Sequence, residues 1–174
     1  MININQHRNQ WLRLDNSSLL KDCREEHYKG SGPGGQRRNK VSTAIRLHHK
    51  ITGLVAQAEE ERLLTKNRHN ALNRLRISLA LNLRNNIDIQ KTPPPPEFAK
   101  HIDKDGYLKV NRRNKLYPII VATILDALAS TDSHASAATY LDITGSQLSK
   151  FLRKDPQVWK KICESRKETK GQGL

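Results

Sequence analysis

The chain has 174 residues, with 31 Lys and Arg against 17 Asp and Glu, a net charge of +14. Only 36% of residues are hydrophobic and 5% aromatic, so the core is modest and mostly aliphatic, and the length fits one medium domain or two small ones. A positive surplus of this size is not needed for folding and points to a polyanionic partner; no apolar run approaches the roughly 20 residues of a spanning helix, which favours nucleic acid over a membrane.

Met1–Gln10 is polar and has no apolar signal core, so a cytoplasmic protein is expected. Cys23 and Cys163 lie far apart and show no metal-ligand spacing. They read as reduced thiols, and neither a metal nor a cofactor is expected.

Along the chain, Asp15-Asn16-Ser17-Ser18 before Leu19-Leu20 reads as a cap and a short helical turn. Asp22–Lys29 is polar and reads as an exposed strand with poor alternation. Gly30–Gly35 holds four glycines and a proline, which no helix or strand survives, so it is a loop. Ala44–Lys50 sets Ile45 and Leu47 against Arg46 and His48; Ile51-Thr52-Gly53 is a turn, and Leu54–Ala58 completes a β-hairpin. His48 and His49 show no ligand spacing and read as surface strand residues. From Glu59 the period becomes helical, with Leu64, Ala71, Leu72, Leu75 and Leu79 on one side and basic residues on the others, to about Leu83.

Thr92 then leads into Pro93-Pro94-Pro95-Pro96, a stiff spacer. The pattern predicts a first domain over 1–90, a proline-rich linker over 91–99, a helical domain over 100–168 and a flexible tail over 169–174. Asp103–Gly106 is a turn. Helices follow at Tyr117–Ser130, His134–Leu141, Ser146–Arg153 and Pro156–Lys167. Both halves are basic, with net charges of +9 over 1–92 and +5 over 93–174. The fold class is α+β: a short sheet on a basic helix, followed by a mainly α-helical domain.

The glycine loop is not a Walker A loop, since no Gly-Lys-Ser/Thr follows, nor a dinucleotide fingerprint, since no apolar strand precedes it. Gly34 and Gly35 free the backbone to approach a ligand closely, and Gln36 brings a donor and an acceptor. No Ser-His-Asp arrangement, metal cluster or acidic pair lies nearby. Chemistry here rests on backbone dipoles, placement of a water and a charge-neutralising surround.

Ser31-Gly32-Pro33-Gly34-Gly35-Gln36 continues into Asn39-Lys40-Val41-Ser42-Thr43-Ala44, then Arg46, Leu47, His49 and Thr52-Gly53, then Glu61-Arg62 and Lys66-Asn67 ahead of a basic helix. This string resembles the catalytic domain of bacterial class I peptide chain release factors and their stand-alone ribosome-rescue relatives, over about residues 20–84. The resemblance implies that Gly34, Gly35 and Gln36 form the catalytic loop and act in the ribosomal peptidyl transferase centre on P-site peptidyl-tRNA. The Gln36 N–H would stabilise the departing 3′-hydroxyl or the oxyanion, and its side chain would shape the water pocket. It also implies large-subunit rRNA as a partner and a methyltransferase acting on Gln36. Ser31, Gly32, Arg37, Arg38, Asn39, Lys40, Arg46, Arg62, Lys66 and Asn67 are the expected RNA-binding residues.

The glycine loop arrives at residue 34 and no codon-reading tripeptide stands out, so the expected activity is hydrolysis independent of stop-codon identity, as in ribosome rescue. Ala137–Lys154 resembles a helix-turn-helix of the nucleoid-protein type. Ala137 and Ala138 would allow a close crossing, Ile143 would plug the turn, and Ser146 would cap the second helix. Asp142 occupies the place where glycine is usual. Gln147, Lys150 and Arg153 would face outward to read nucleic acid, either mRNA, small-subunit rRNA or DNA. The equal alternative is a plain helical bundle. At the level of function, the alternative is a nucleic-acid-binding or ribosome-associated factor without hydrolase activity.

Overall fold

The computed structural model describes residues 4–28 and 43–171. They divide into two compact units, residues 1–83 and 84–174, each described by itself.

The first unit opens with α1 (Ile4–Arg13) and α2 (Asn16–Lys21). Asp15 caps α2, accepting from the Ser18 N–H at 2.9 Å. The Ser17 hydroxyl, followed by the Ser18 N–H, holds the Asp15 carboxyl far below the usual carboxylate range. Among the described residues, β1 (Cys23–Tyr28), β2 (Ala44–His49) and β3 (Val55–Ala58) form one antiparallel sheet in the order β1-β2-β3. The long helix α3 (Leu64–Asn82) packs on its inner face.

Strand alternation decides which face is covered. Ile45, Leu47 and His49 of β2 are buried with Ala56 and Ala58 of β3, while Arg46 and His48 point away. Leu72, Leu75 and Leu79 of α3 meet them, each almost wholly buried and each contributing about 1.5–3 kcal/mol. The two alanines keep β3 shallow under the helix. Between β2 and β3 the chain reverses at Gly53, whose φ of +70° is a left-handed conformation that glycine adopts without penalty.

His49 departs from the surface role expected of it. It is 1% exposed; its Nδ1 lies 2.8 Å from the Thr52 hydroxyl and its ring meets the edge of Trp11 at 4.7 Å. It occupies the inward position of β2, and burial lowers its pKa, which keeps the ring neutral.

Helix α1 is not announced by the hydrophobic pattern because one of its core-facing residues is an arginine. Arg8 is fully buried and donates to the carbonyl of Leu83, at the end of α3, at 2.9 Å. In return Arg76 of α3, 3% exposed, donates to the carbonyl of Leu14 at 2.9 Å. Each guanidinium satisfies a carbonyl at the end of the other helix, where intrahelical partners run out. Trp11 and Leu12 complete the buried face of α1.

The division between units comes at Leu83 and Arg84, where α3 ends, ahead of the proline run expected to link them. The prolines belong to the second unit. Pro96 opens the short helix α4 (Pro96–Ala99), a position where its missing N–H costs nothing, and Phe98 is fully buried. A small hairpin follows, with Ile102 bridged to Leu108 and Gly106 at a φ of +73°. Helix α5 (Tyr117–Ala129) is buried on almost every side and forms the centre of this unit. Helices α6 (His134–Tyr140), α7 (Gly145–Lys154) and α8 (Pro156–Gly171) complete it. The architecture is α+β, a small sheet-and-helix unit followed by a helical one.

Candidate functional site

Gly34, Gly35 and Gln36 lie outside the described residues, as do Ser31, Gly32, Arg37, Arg38, Asn39 and Lys40. The structure defines the frame from which that segment departs and to which it returns. Tyr28, the last residue of β1, pairs with Ala44, the first of β2. The two feet are therefore neighbours in the sheet, and Gln36 lies midway between them in sequence.

The returning foot is pinned by Asn67. This residue is fully buried in the first turns of α3. Its Nδ2 donates to the carbonyl of Thr43 at 2.7 Å and to that of Glu61 at 2.9 Å, while its Oδ1 accepts from the Glu61 N–H at 2.9 Å. Asn67 is therefore corrected from an RNA contact to a buried positioning residue, since its amide is committed to three main-chain partners. It ties the Thr43 foot, the approach to α3 and α3 itself into one block.

The departing foot is held by charge. Arg68 grips Glu25 of β1 through two bonds, Nε at 2.9 Å and Nη2 at 2.6 Å, and His27 shares the same carboxylate. The Arg68 guanidinium holds the Glu25 carboxyl below the usual carboxylate range. On the outer face Glu26 meets His48 at 3.1 Å and Arg46 at 3.5 Å, and the His48 bond lowers its pKa. Arg46 also lies 5.0 Å over the Tyr28 ring and reaches Gln57 at 3.4 Å. It braces both strands beside the feet while keeping a partly open side chain. Glu25 and Arg68 are far apart in sequence and of ordinary type, so no sequence signal pairs them.

Arg62 is exposed on the segment that Asn67 holds against the Thr43 foot. Lys66 is also exposed, with its ammonium 3.8 Å from Glu61. Both keep their charge toward solvent close to where the loop returns. Cys23 is buried with its thiol on the Leu19 carbonyl at 3.3 Å, and burial pushes its pKa up to about 11, which removes it as a nucleophile at neutral pH. Among the described residues no group of three or more His, Cys, Asp or Glu is placed to hold a metal ion.

In the second unit the turn between α6 and α7 has the buried residues expected of it, Ala137, Ala138 and Ile143, and Leu148 and Leu152 of α7 are buried with them. Asp142 sits in the left-handed region at a φ of +54°. The Ile143 N–H reaches the Ala138 carbonyl and the Asp142 N–H the Thr139 carbonyl, both at 3.1 Å, which is the Schellman closure of a helix. The cap of α7 is Thr144, which accepts from the Gln147 N–H at 3.3 Å, and not Ser146 as expected. Thr144 holds the extended backbone a cap requires, whereas Ser146 is already inside the helix. Gln147 is half-buried, and Lys150 and Arg153 are exposed. Arg153 places its guanidinium 5.4 Å over the Trp159 ring of α8. No helix among the described residues is long and apolar enough to cross a membrane.

The family model of the RF-1 domain matches residues 17–117. Peptide chain release factor 1 of Leuconostoc citreum is 52% identical over 62 residues, which is 36% of this chain and 17% of that protein. The proteins of the same name from Streptococcus thermophilus and Streptococcus agalactiae are 47% and 45% identical, each over 60 residues, 34% of this chain and 17% of theirs. The chain thus matches these relatives over 17% of their length.

Proposed function

The chain belongs to the RF-1 domain family, and from that premise we propose that it hydrolyses the peptidyl-tRNA ester on the ribosome, independently of stop-codon identity, as in the rescue of stalled ribosomes. The observation that supports this reading is that the strand ends flanking Gly34-Gly35-Gln36 in sequence, Tyr28 and Ala44, are paired and pinned inside a matched RF-1 domain. The relatives supply the name of the activity, peptide chain release; the step to this chain is the proposal.

In the reaction, water adds to the ester carbonyl carbon and a tetrahedral oxyanion forms. The bond to the tRNA 3′-oxygen then breaks, and that oxygen leaves with a proton from the attacking water. The Gln36 N–H would face the oxyanion or the leaving oxygen, a fixed dipole that needs no reorganisation. The side-chain amide would fence the water. Acid and base groups would come from ribosomal RNA and the tRNA ribose, since the carboxylates beside the feet are engaged: Glu25 by Arg68, Glu26 by His48 and Arg46. Arg62 and Lys66, with Arg37, Arg38 and Lys40 of the loop, would neutralise RNA phosphates. Codon independence is proposed because the chain carries the RF-1 domain over residues 17–117 and no codon-reading tripeptide stands out in its sequence.

The test is peptide release from ribosomes carrying peptidyl-tRNA, with a stop codon, a sense codon or no codon in the A site. Comparable rates on all three are expected. Gln36→Pro, which deletes the N–H, should lower release by about 10²–10³-fold while ribosome binding persists. Release on stop codons alone would refute codon independence, and binding without release on any template would refute the hydrolase.

A further inference from the structure

The outer face of α7 does not stand free. The segment after the Gly106 turn, residues 107–111, lies opposite it, and the two wall a groove of about 700 Å³. Lys109, Lys150 and Lys154 line this groove, and none of its lining residues is acidic. Lys109 is partly offset by Asp103, 2.7 Å from its ammonium. Lys150 and Lys154 are exposed and, among the described residues, form no ion pair. They stand one helical turn apart, a spacing at which like charges repel by about 0.2–0.5 kcal/mol. A folded unit gains nothing from that repulsion, whereas a bound polyanion relieves it.

Two further features of the groove narrow the ligand. Tyr107 is 52% exposed on its wall, whereas Phe98, Tyr117 and Phe151 of the same unit are buried. An open aromatic ring beside unpaired lysines is the pattern of a stacking platform on a phosphate-tracking groove. Asn111 and Gln147 add amides that both donate and accept, suited to base edges and 2′-hydroxyls. Duplex reading by α7 is disfavoured on the same geometry. A recognition helix needs its outward face clear to enter a major groove, but here that face is one wall of a groove, and Arg153 is turned onto Trp159.

We propose that the groove between residues 107–111 and α7 binds single-stranded RNA, with Lys109, Lys150 and Lys154 on phosphates and Tyr107 stacked on a base. The choice of RNA rests on the ribosomal reading above; the choice of a single strand rests on the groove itself.

The test uses the full chain without ribosomes: fluorescence anisotropy with a labelled ten-nucleotide uridine-rich RNA over a range of salt concentrations. Lys150→Ala/Lys154→Ala should weaken binding at least tenfold and reduce the slope of log K against log salt by about 1.4, the loss of two single-strand phosphate contacts. Tyr107→Ala should weaken it at least fivefold, and Tyr107→Phe should restore it. DNA of the same sequence and duplex RNA should bind at least threefold more weakly. Unchanged affinity in both the lysine and tyrosine variants overturns the site. Equal or tighter binding of DNA overturns the choice of RNA, equal or tighter binding of duplex overturns the single strand, and equal competition by an acidic peptide overturns nucleic acid altogether. Release on ribosomes, measured in parallel, separates the two readings: groove failure with release intact refutes the groove alone, and release failure with RNA binding intact refutes the hydrolase alone.

Discussion

Replacing Asn67 with alanine separates a positioning residue from an RNA contact. The substitution removes three hydrogen bonds, to the Thr43 carbonyl and to both main-chain groups of Glu61. At about 1 kcal/mol net for each, the loss is about 3 kcal/mol; Thr43 and Glu61 are only half-buried, so water can recover part of it and about 2 kcal/mol is the lower bound. A unit of this size has a total stability of roughly 4–12 kcal/mol, so it remains folded. The assay is urea unfolding followed by Trp11 fluorescence in a Trp159→Phe background. Trp11 is 5% exposed against His49 and reports on the first unit. With an m-value of about 1.5 kcal/mol/M, the midpoint should fall by about 2 M. Asn67→Asp should be at least as damaging above pH 5, because it sets a carboxylate against two carbonyl oxygens. An unchanged midpoint together with weakened RNA binding would refute the positioning role and restore Asn67 to the RNA surface.

The Glu25–Arg68 pair sets an acid limit. The folded Glu25 carboxyl lies below its ordinary value of 4.5, so its stabilisation is fully present above about pH 4.5 and is lost as pH falls through the folded value. Glu25→Gln should therefore lose less stability between pH 7 and pH 3 than the parent; an equal loss in urea midpoint would show that the pair is not responsible. Asp142→Gly should raise the stability of the second unit by about 1 kcal/mol, because it relieves a left-handed residue at a helix end and removes a negative charge there; an unchanged or lowered thermal midpoint would contradict this. Tyr117 donates to the buried Asp155 carboxylate at 2.8 Å. Tyr117→Phe should cost the second unit about 1.5–3 kcal/mol, read from Trp159 fluorescence in denaturant, and a loss under 0.5 kcal/mol would mean that Arg112, 3.4 Å from the same carboxylate, suffices alone.

What the sequence made legible was whatever depended on neighbours in the chain. The β2–β3 hairpin follows from local alternation and a glycine turn, α3 from the spacing of its leucines, and α5 from a predominantly apolar segment. What stayed hidden were polar residues in interior positions. Arg8 looks like surface on any hydrophobic pattern, yet it anchors α1 to the end of α3, so the helix carrying it was not foreseen. His49 and Asn67 are of the same kind: each is buried beside a partner that only the fold brings to it, the Thr52 hydroxyl at the Nδ1 of His49 and main-chain groups around the Asn67 amide. The proline run is ambiguous for a different reason. Proline stops one helix and opens the next equally well; the burial of Phe98 and the bond from the Tyr140 hydroxyl to the Thr92 carbonyl at 3.0 Å group the run with the second unit.

The two feet of the glycine segment are fastened by different means, which bears on how such a loop would work. One is tied through Glu25 to Arg68, the other through Thr43 to Asn67, and Asn67 and Arg68 are consecutive residues of α3. One short stretch of helix therefore sets the spacing and tilt of both strand ends at once. A catalyst that acts through a main-chain N–H cannot correct its aim by a side-chain rotation; its aim is set by how its base is mounted, and a misplacement of about 1 Å costs on the order of 10²-fold. The hydrolase reading thus demands more of this scaffold than an RNA-binding adapter would. If release is the function, Asn67→Ala should depress the release step far more than ribosome affinity, whereas an adapter would lose affinity alone.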